Sequence, residues 1–189
     1  MKALGILFLI LLVAIAIAVA IIEVRGVSTR VEPTATEAIL ALAARHFATP
    51  RAERAARNPI VLTDAVLVEG RAHWADHCAT CHANDGSGNT EMGRNLYPRA
   101  PDMRDAKTQS LTDGELFSII RNGVRLTGMP AWGAANGADD AETWKLVHFI
   151  RHLPKITPAE LKAMEALNPV SPSERAEEEH EQEFLEGHR

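Results

Sequence analysis

The chain has 189 residues, of which 46% are hydrophobic, and its formal net charge is −5 at pH 7. Its two cysteines are too few for a structural zinc site of the four-cysteine kind, and with an acidic net charge we expect no nucleic-acid partner. No run of residues alternates apolar and polar side chains with the β-branched residues of a strand, so the sequence predicts an all-α fold.

The N-terminal segment is the first predicted element. Residues 3–22 carry no charged side chain, and a helix of this length spans about 30 Å, the thickness of a bilayer core. We therefore predict a transmembrane anchor over residues 1–24. A cleaved signal peptide is the alternative, with a cleavage site at Ala18-Val19-Ala20 that would leave Ile21 at the new N-terminus.

Residues 25–58 are predicted to link this anchor to the domain that follows. An alanine-rich amphipathic helix is expected over residues 36–47, with Ile39, Leu40 and Ala43 on its apolar side, and Pro50 interrupts it. Four arginines lie in or after this helix: Arg45, Arg51, Arg54 and Arg57. The cluster fits contact with anionic lipid or a partner subunit, although a solvated linker helix is the simpler interpretation.

Both cysteines of the chain lie in one motif, Cys78-Ala-Thr-Cys81-His82. This C-x-x-C-H spacing is typical of the covalent attachment of a c-type haem. Two thiols three positions apart lie on one side of a helical turn, where both can form thioethers with the vinyl groups of one porphyrin. His82 then lies beneath the iron as an axial ligand. We predict one covalent haem c per chain.

Two other interpretations of the motif are open. A redox-active dithiol of the thioredoxin kind needs a βαβ setting, and none is visible in the sequence. A mixed metal site could combine the cysteines with His73, His77 and His82, but the chain has no second C-x-x-C pair to complete it. Both interpretations are weaker than haem attachment.

The second iron ligand is predicted to be Met129. It lies between Gly128 and Pro130, on a tight loop that can present its thioether sulfur to the opposite haem face. Met92 and Met103 lie in polar surroundings rich in glycine and proline, and Met164 lies in a helix beyond the domain. We therefore expect His82 and Met129 to be the two protein ligands of the iron.

Three further helices are predicted around this motif. The first covers residues 64–77 and contains Gly70. The second opens with a capping box between Thr112 and Glu115, ends at Gly123, and has a buried stripe of Leu116, Ile119 and Ile120. The third covers residues 143–153, ends at Pro154, and places four apolar residues on one face: Leu146, Phe149, Ile150 and Leu153.

The C-terminal region, residues 156–189, is predicted to contain a short helix and an acidic tail. Thr157 and Glu160 form a capping box. From residue 173 onward seven glutamates face two arginines, which is typical of a solvated, disordered tail, although such a tail could also dock on a basic partner. His148 and His152 are expected at the surface.

Across residues 60–154 these features resemble a class I c-type cytochrome, in the order in which that family has them. Gly70 and Trp74 precede the attachment motif as a glycine and an aromatic residue do in the family, where the N-terminal helix crosses the C-terminal helix. The resemblance implies a small helical domain, residues 59–155, that wraps around one covalent haem. It also implies that a proline carbonyl, from Pro98 or Pro101, holds His82.

The resemblance implies electron transfer rather than catalysis. The expected partners are redox proteins whose identity the sequence does not give, together with membrane lipid around the N-terminal helix, and no small-molecule substrate is expected. Because members of the family receive their haem outside the cytoplasm, we expect a single-pass protein of the inner membrane with its haem domain in the periplasm. The alternative is a haem enzyme or small-ligand sensor in which Met129 leaves the iron or never binds it.

Overall fold

The computed structural model describes residues 2–26, 28–134, 136–138 and 140–170, together with His180 and Phe184. Every regular element in these ranges is helical, which confirms the predicted all-α fold. The chain divides into two compact units, Met1–Val31 and Glu32–Arg189. The acidic tail predicted from residue 173 onward lies outside the described residues, apart from the two isolated positions.

The first unit consists of one helix, α1 (Lys2–Arg25). Its stretch Ala3–Val24 has a mean hydropathy of 3.3 and is long and apolar enough to cross a membrane. Because an N-terminal signal sequence can also be apolar and helical, this helix is either a membrane anchor or a signal.

The second unit contains nine α-helices within the described residues. They are α2 (Ala35–Ala48), α3 (Arg51–Arg54), α4 (Asp64–His73), α5 (Ala79–His82), α6 (Glu91–Asn95), α7 (Ala106–Gln109), α8 (Asp113–Asn122), α9 (Asp140–His152) and α10 (Pro158–Glu165). A π-helical turn, Trp74–Cys78, joins α4 to α5, and a 3₁₀ turn, Leu153–Lys155, extends α9. The capping boxes predicted at the starts of α8 and α10 are both present.

Helices α4 and α9 cross at Gly70. A Cβ atom at this position would lie 2.5 Å from the carbonyl oxygen of Lys145 and 3.3 Å from the Cβ of Phe149. Only a residue without a side chain allows the two backbones to approach this closely. The predicted contact between the N-terminal and C-terminal helices at Gly70 is confirmed.

The core is formed by α8 and α9 together with the π turn, α5 and α10. The rings of Phe117 and Trp144 stack with centroids 4.1 Å apart, and the four residues predicted on the apolar face of α9 are all buried. On α8, Ile119 is only half-buried, whereas Phe117 and Ser118 are buried. The predicted stripe is therefore wrong at Ile119. Helix α3 covers a different side of α8, where the Ser118 hydroxyl donates to Glu53 Oε2 at 2.6 Å.

Residues assigned to the linker pack on this core. The Thr112 hydroxyl donates to the carbonyl of Arg54 at 2.7 Å, and the Asn58 side chain donates to the carbonyl of Trp144 at 2.9 Å. His148 lies 2.7 Å from the carbonyl oxygen of Ile60 and is half-buried, so its predicted surface position is wrong. These contacts explain why the compact unit begins before residue 59.

The C-terminal helix α10 also packs on the core. Met164 is fully buried, and His152 Nε2 lies 2.8 Å from Glu160 Oε1. The expectation that Met164 lies beyond the domain is therefore wrong, because α10 folds back against α9 instead of leading away from it. We expected His152 at the surface, and in the structure it is partly covered.

The crossing at Gly70 makes the Gly70→Ala variant a direct test of the fold. Alanine would favour the helix by about 1 kcal/mol through its propensity. We nevertheless expect the free energy of unfolding to fall by about 1–3 kcal/mol, because the methyl group forces α4 away from the backbone of α9. Denaturant titration followed by circular dichroism measures the change. Val68→Ala, at a half-exposed position of α4, is the control, and a stabilised Gly70→Ala protein would contradict the close approach.

Candidate functional site

The attachment motif lies at the end of a continuous helical path. Helix α4 passes into the π-helical turn, in which the Ala79 N–H donates to the carbonyl of Trp74, and α5 carries Cys81 and His82. A π turn widens the helix by one residue and is frequent at functional sites. Ala83 ends the path with φ of 62°, a left-handed conformation that alanine adopts at a cost of about 1–3 kcal/mol.

The two cysteines form no disulfide, and the pKa of each thiol is raised. Cys78 is buried, and this burial raises the pKa of its thiol to about 12. Burial also raises the pKa of Cys81, which is only partly covered. Reactive dithiols of the thioredoxin kind have lowered pKa values, so the geometry does not favour the redox-dithiol interpretation.

His82 is buried against Trp74, with ring centroids 5.6 Å apart. Burial lowers the pKa of His82, and the backbone carbonyl of Pro101 opposes this shift. The imidazole is therefore neutral at pH 7, which is the form that binds iron. Nδ1 is buried and has no hydrogen-bond partner among the described residues. Of the two prolines considered, Pro101 is thus the one whose carbonyl affects the pKa of His82. The two groups do not form a hydrogen bond in this structure.

Met129 lies on a loop that is fastened to the end of α8. Gly123 ends the helix with φ of 66°, and a Cβ there would meet the backbone of residues 129–131. The carbonyl of Met129 accepts a hydrogen bond from the Val124 N–H at 3.0 Å, and the Trp132 N–H donates to the carbonyl of Ile120 at 3.1 Å. These two hydrogen bonds fasten the loop that carries Met129 to α8 and to Val124, just beyond the C-terminal end of that helix.

These residues meet at one cavity. Its lining is mostly apolar and consists of Trp74, Cys78, His82, Met103, Ile120, Met129, Leu146 and Ile150. Three of the four predicted site residues line it, and Cys81 is not among them. Met92 is half-exposed and does not line it. Met103 does line it, although its polar sequence surroundings gave no indication of this.

The lining fits a haem group. Apolar side chains suit the faces of a porphyrin, and an imidazole and a thioether sulfur are both ligands of haem iron. The metal site considered at His73 and His77 has no support, because no group of three metal-ligating side chains occurs among the described residues.

A side-chain clamp at the attachment motif was not predicted. The Asn168 amide, beyond α10, donates to the carbonyl of Ala75 at 2.8 Å and exchanges two hydrogen bonds with the Asn84 amide. These contacts join the π turn on one side of the motif to the loop on the other. Nothing in the sequence around Asn168 indicates this role, because the partners lie far away along the chain.

An all-helical domain with two helices crossed at a glycine, and with a C-x-x-C-H segment beside an apolar cavity, is a class I c-type cytochrome. Residues 65–150 match the family model of cytochrome c oxidase, cbb3-type, subunit III. The match runs from α4 into α9 and includes the whole predicted site. This part of the chain is therefore a c-type cytochrome domain, and such a domain indicates haem-based electron transfer.

Proposed function

We propose that this protein is a membrane-tethered electron carrier that holds one covalent haem c between His82 and Met129. The observation that carries the proposal is the apolar cavity lined by Cys78, His82 and Met129 together. A haem bound there would supply reversible one-electron chemistry. The domain match supports electron transfer as the activity, and redox proteins are the partners that such a domain requires.

Each site residue has a distinct role in this proposal. Cys78 and Cys81 fix the group through two thioether bonds, each made by adding S–H across a vinyl double bond. His82 and Met129 would hold the iron through an imidazole and a thioether, and the burial of His82 against Trp74 holds its ring in place. The neutral thioether would favour the ferrous state.

The N-terminal helix supports a membrane location. We propose that α1 stays in the inner membrane as a single-pass anchor, with the haem domain in the periplasm. Its apolar stretch of 22 residues is longer than the h-region of a signal peptide, which is usually about 7–15 residues. We also propose that the haem domain extends beyond residues 59–155, to include α3 and α10, since both pack on its core.

The covalent bonds are tested by removing the thiols. Cys78→Ala and Cys81→Ala should each reduce covalent haem strongly, and the double variant should retain none, because each bond needs its own sulfur. Haem staining of a denaturing gel measures this directly. His77→Ala, which leaves both thiols in place, should stain like the unchanged protein. Normal staining of the double variant would refute the attachment site.

The second ligand is tested by Met129→Ala. Covalent haem should remain, ferrous protein should now bind CO, and the reduction potential should fall because the thioether no longer stabilises ferrous iron. Absorption spectra and redox titration measure these changes. Met92→Ala should change nothing. Met103→Ala is the sharper comparison, since Met103 lines the same cavity. If ferrous Met103→Ala bound CO and Met129→Ala did not, the ligand would be Met103.

The anchor is tested by fractionation of the full chain. An uncleaved α1 should keep the haem protein in the membrane fraction after carbonate washing, because the apolar helix remains in the bilayer core. Replacing residues 1–24 with a cleavable signal should release a haem-loaded protein into the periplasm. N-terminal sequencing is the control, and a mature chain that begins near Ile21 would support the signal-peptide alternative.

A further inference from the structure

Helix α2 is docked on its unit through polar contacts. The Tyr97 hydroxyl donates to Glu37 Oε1 at 3.2 Å, and His46 Nδ1 lies 3.5 Å from Glu115 Oε1. At the C-terminal end, the Arg54 side chain donates to the carbonyl of His46 at 2.6 Å. No residue of α2 is buried.

The apolar side of α2 faces outward. Ile39 and Leu40 are each 65% exposed, and Phe47 is 88% exposed. Their helical spacing places them with Ala43 along one side of the helix. A helix on the surface of a soluble domain normally turns its apolar side to the core and its polar side to water. Here the order is reversed, and a contiguous exposed apolar surface of this kind marks a contact with another apolar phase.

The segment that carries α2 has a charge opposite to that of the chain. Residues 25–58 contain six arginines and three glutamates, whereas the whole chain has a net charge of −5. Arg51 and Arg57 are exposed just beyond the C-terminal end of α2. Exposed cations beside an exposed apolar helix face match the surface of an anionic bilayer, which offers phosphate groups above an apolar interior.

The length of the chain limits where α2 can lie. Residues 26–34 separate it from α1, and a segment of this length spans at most about 30 Å when fully extended. With α1 in the membrane, α2 therefore remains close to the bilayer surface. A protein partner would have to enter the space between α2 and the bilayer to reach the apolar side of α2. The short linker therefore favours lipid as the group that contacts this side.

We propose that α2 lies in the interface of the anionic bilayer, with Ile39, Leu40 and Phe47 at the acyl boundary and Arg51 and Arg57 at lipid phosphates. The proposal rests on the membrane anchor proposed above. Because Glu37 and His46 join α2 to the cytochrome domain, this contact would fix the orientation of the haem domain relative to the membrane. The anchor alone would not fix it.

The test uses the full-length haem protein in lipid nanodiscs. With Cys78 and Cys81 held as thioethers, Ile39→Cys gives a single free thiol for a nitrobenzoxadiazole fluorophore, and one label per chain verifies this. Ala41→Cys, exposed on the opposite side of the same helix, is the matched control. In discs that contain phosphatidylglycerol, we expect a blue-shifted emission that lipid nitroxides quench at position 39, and an aqueous emission at position 41.

The arginines are tested in the same discs. Arg51→Gln with Arg57→Gln should remove the part of the blue shift that depends on phosphatidylglycerol, and salt should do the same.

Equal aqueous emission at positions 39 and 41 in incorporated protein would overturn the proposal while leaving the anchor intact. A shift at position 39 that grows with protein concentration in lipid-free detergent would assign the face to a second copy instead. Haem protein that does not co-elute with discs would overturn the anchor, and the proposal with it.

Discussion

The close approach of α4 and α9 at Gly70 is the constraint on which the rest of the domain depends. Any side chain at residue 70 would clash with the Lys145 carbonyl, so the two helices meet this closely only because that residue is glycine. Trp74 follows one turn later, and its ring packs between His82 and Phe149. The crossing thus sets the position of the imidazole through one aromatic residue.

The cavity needs a second fixed wall, and α8 supplies it. The loop after α8 returns its backbone N–H groups to the last carbonyls of the helix, which would otherwise lack partners. The same hydrogen bonds hold Met129 at the cavity. The two walls thus hold His82 and Met129 at one apolar cavity.

Local signals in the sequence were sufficient for the longer helices and for the attachment motif, but not for the short helices α3, α6 and α7. Capping boxes, the apolar face of α9 and the C-x-x-C-H spacing each depend on residues within about two helical turns of one another. The positions of Met103, Met164 and His148 were not predictable in this way. Each depends on a segment that is distant along the chain, such as the return of α10 to the core or the contact of Ile60 with α9. The glycine at position 70 was informative because it costs stability in a helix unless a close contact requires it.

The Asn168 clamp has a consequence for the order of events during biosynthesis. Asn168 and Ala75 are 93 positions apart, so the attachment segment leaves the ribosome well before the residue that fastens it. In the finished fold the side chain of Cys78 is buried. The attachment segment is therefore more accessible before α10 packs on the core. Closure of α10 ends this period. Because α10 is the last helix of the domain to be synthesised, the order of the sequence itself delays closure.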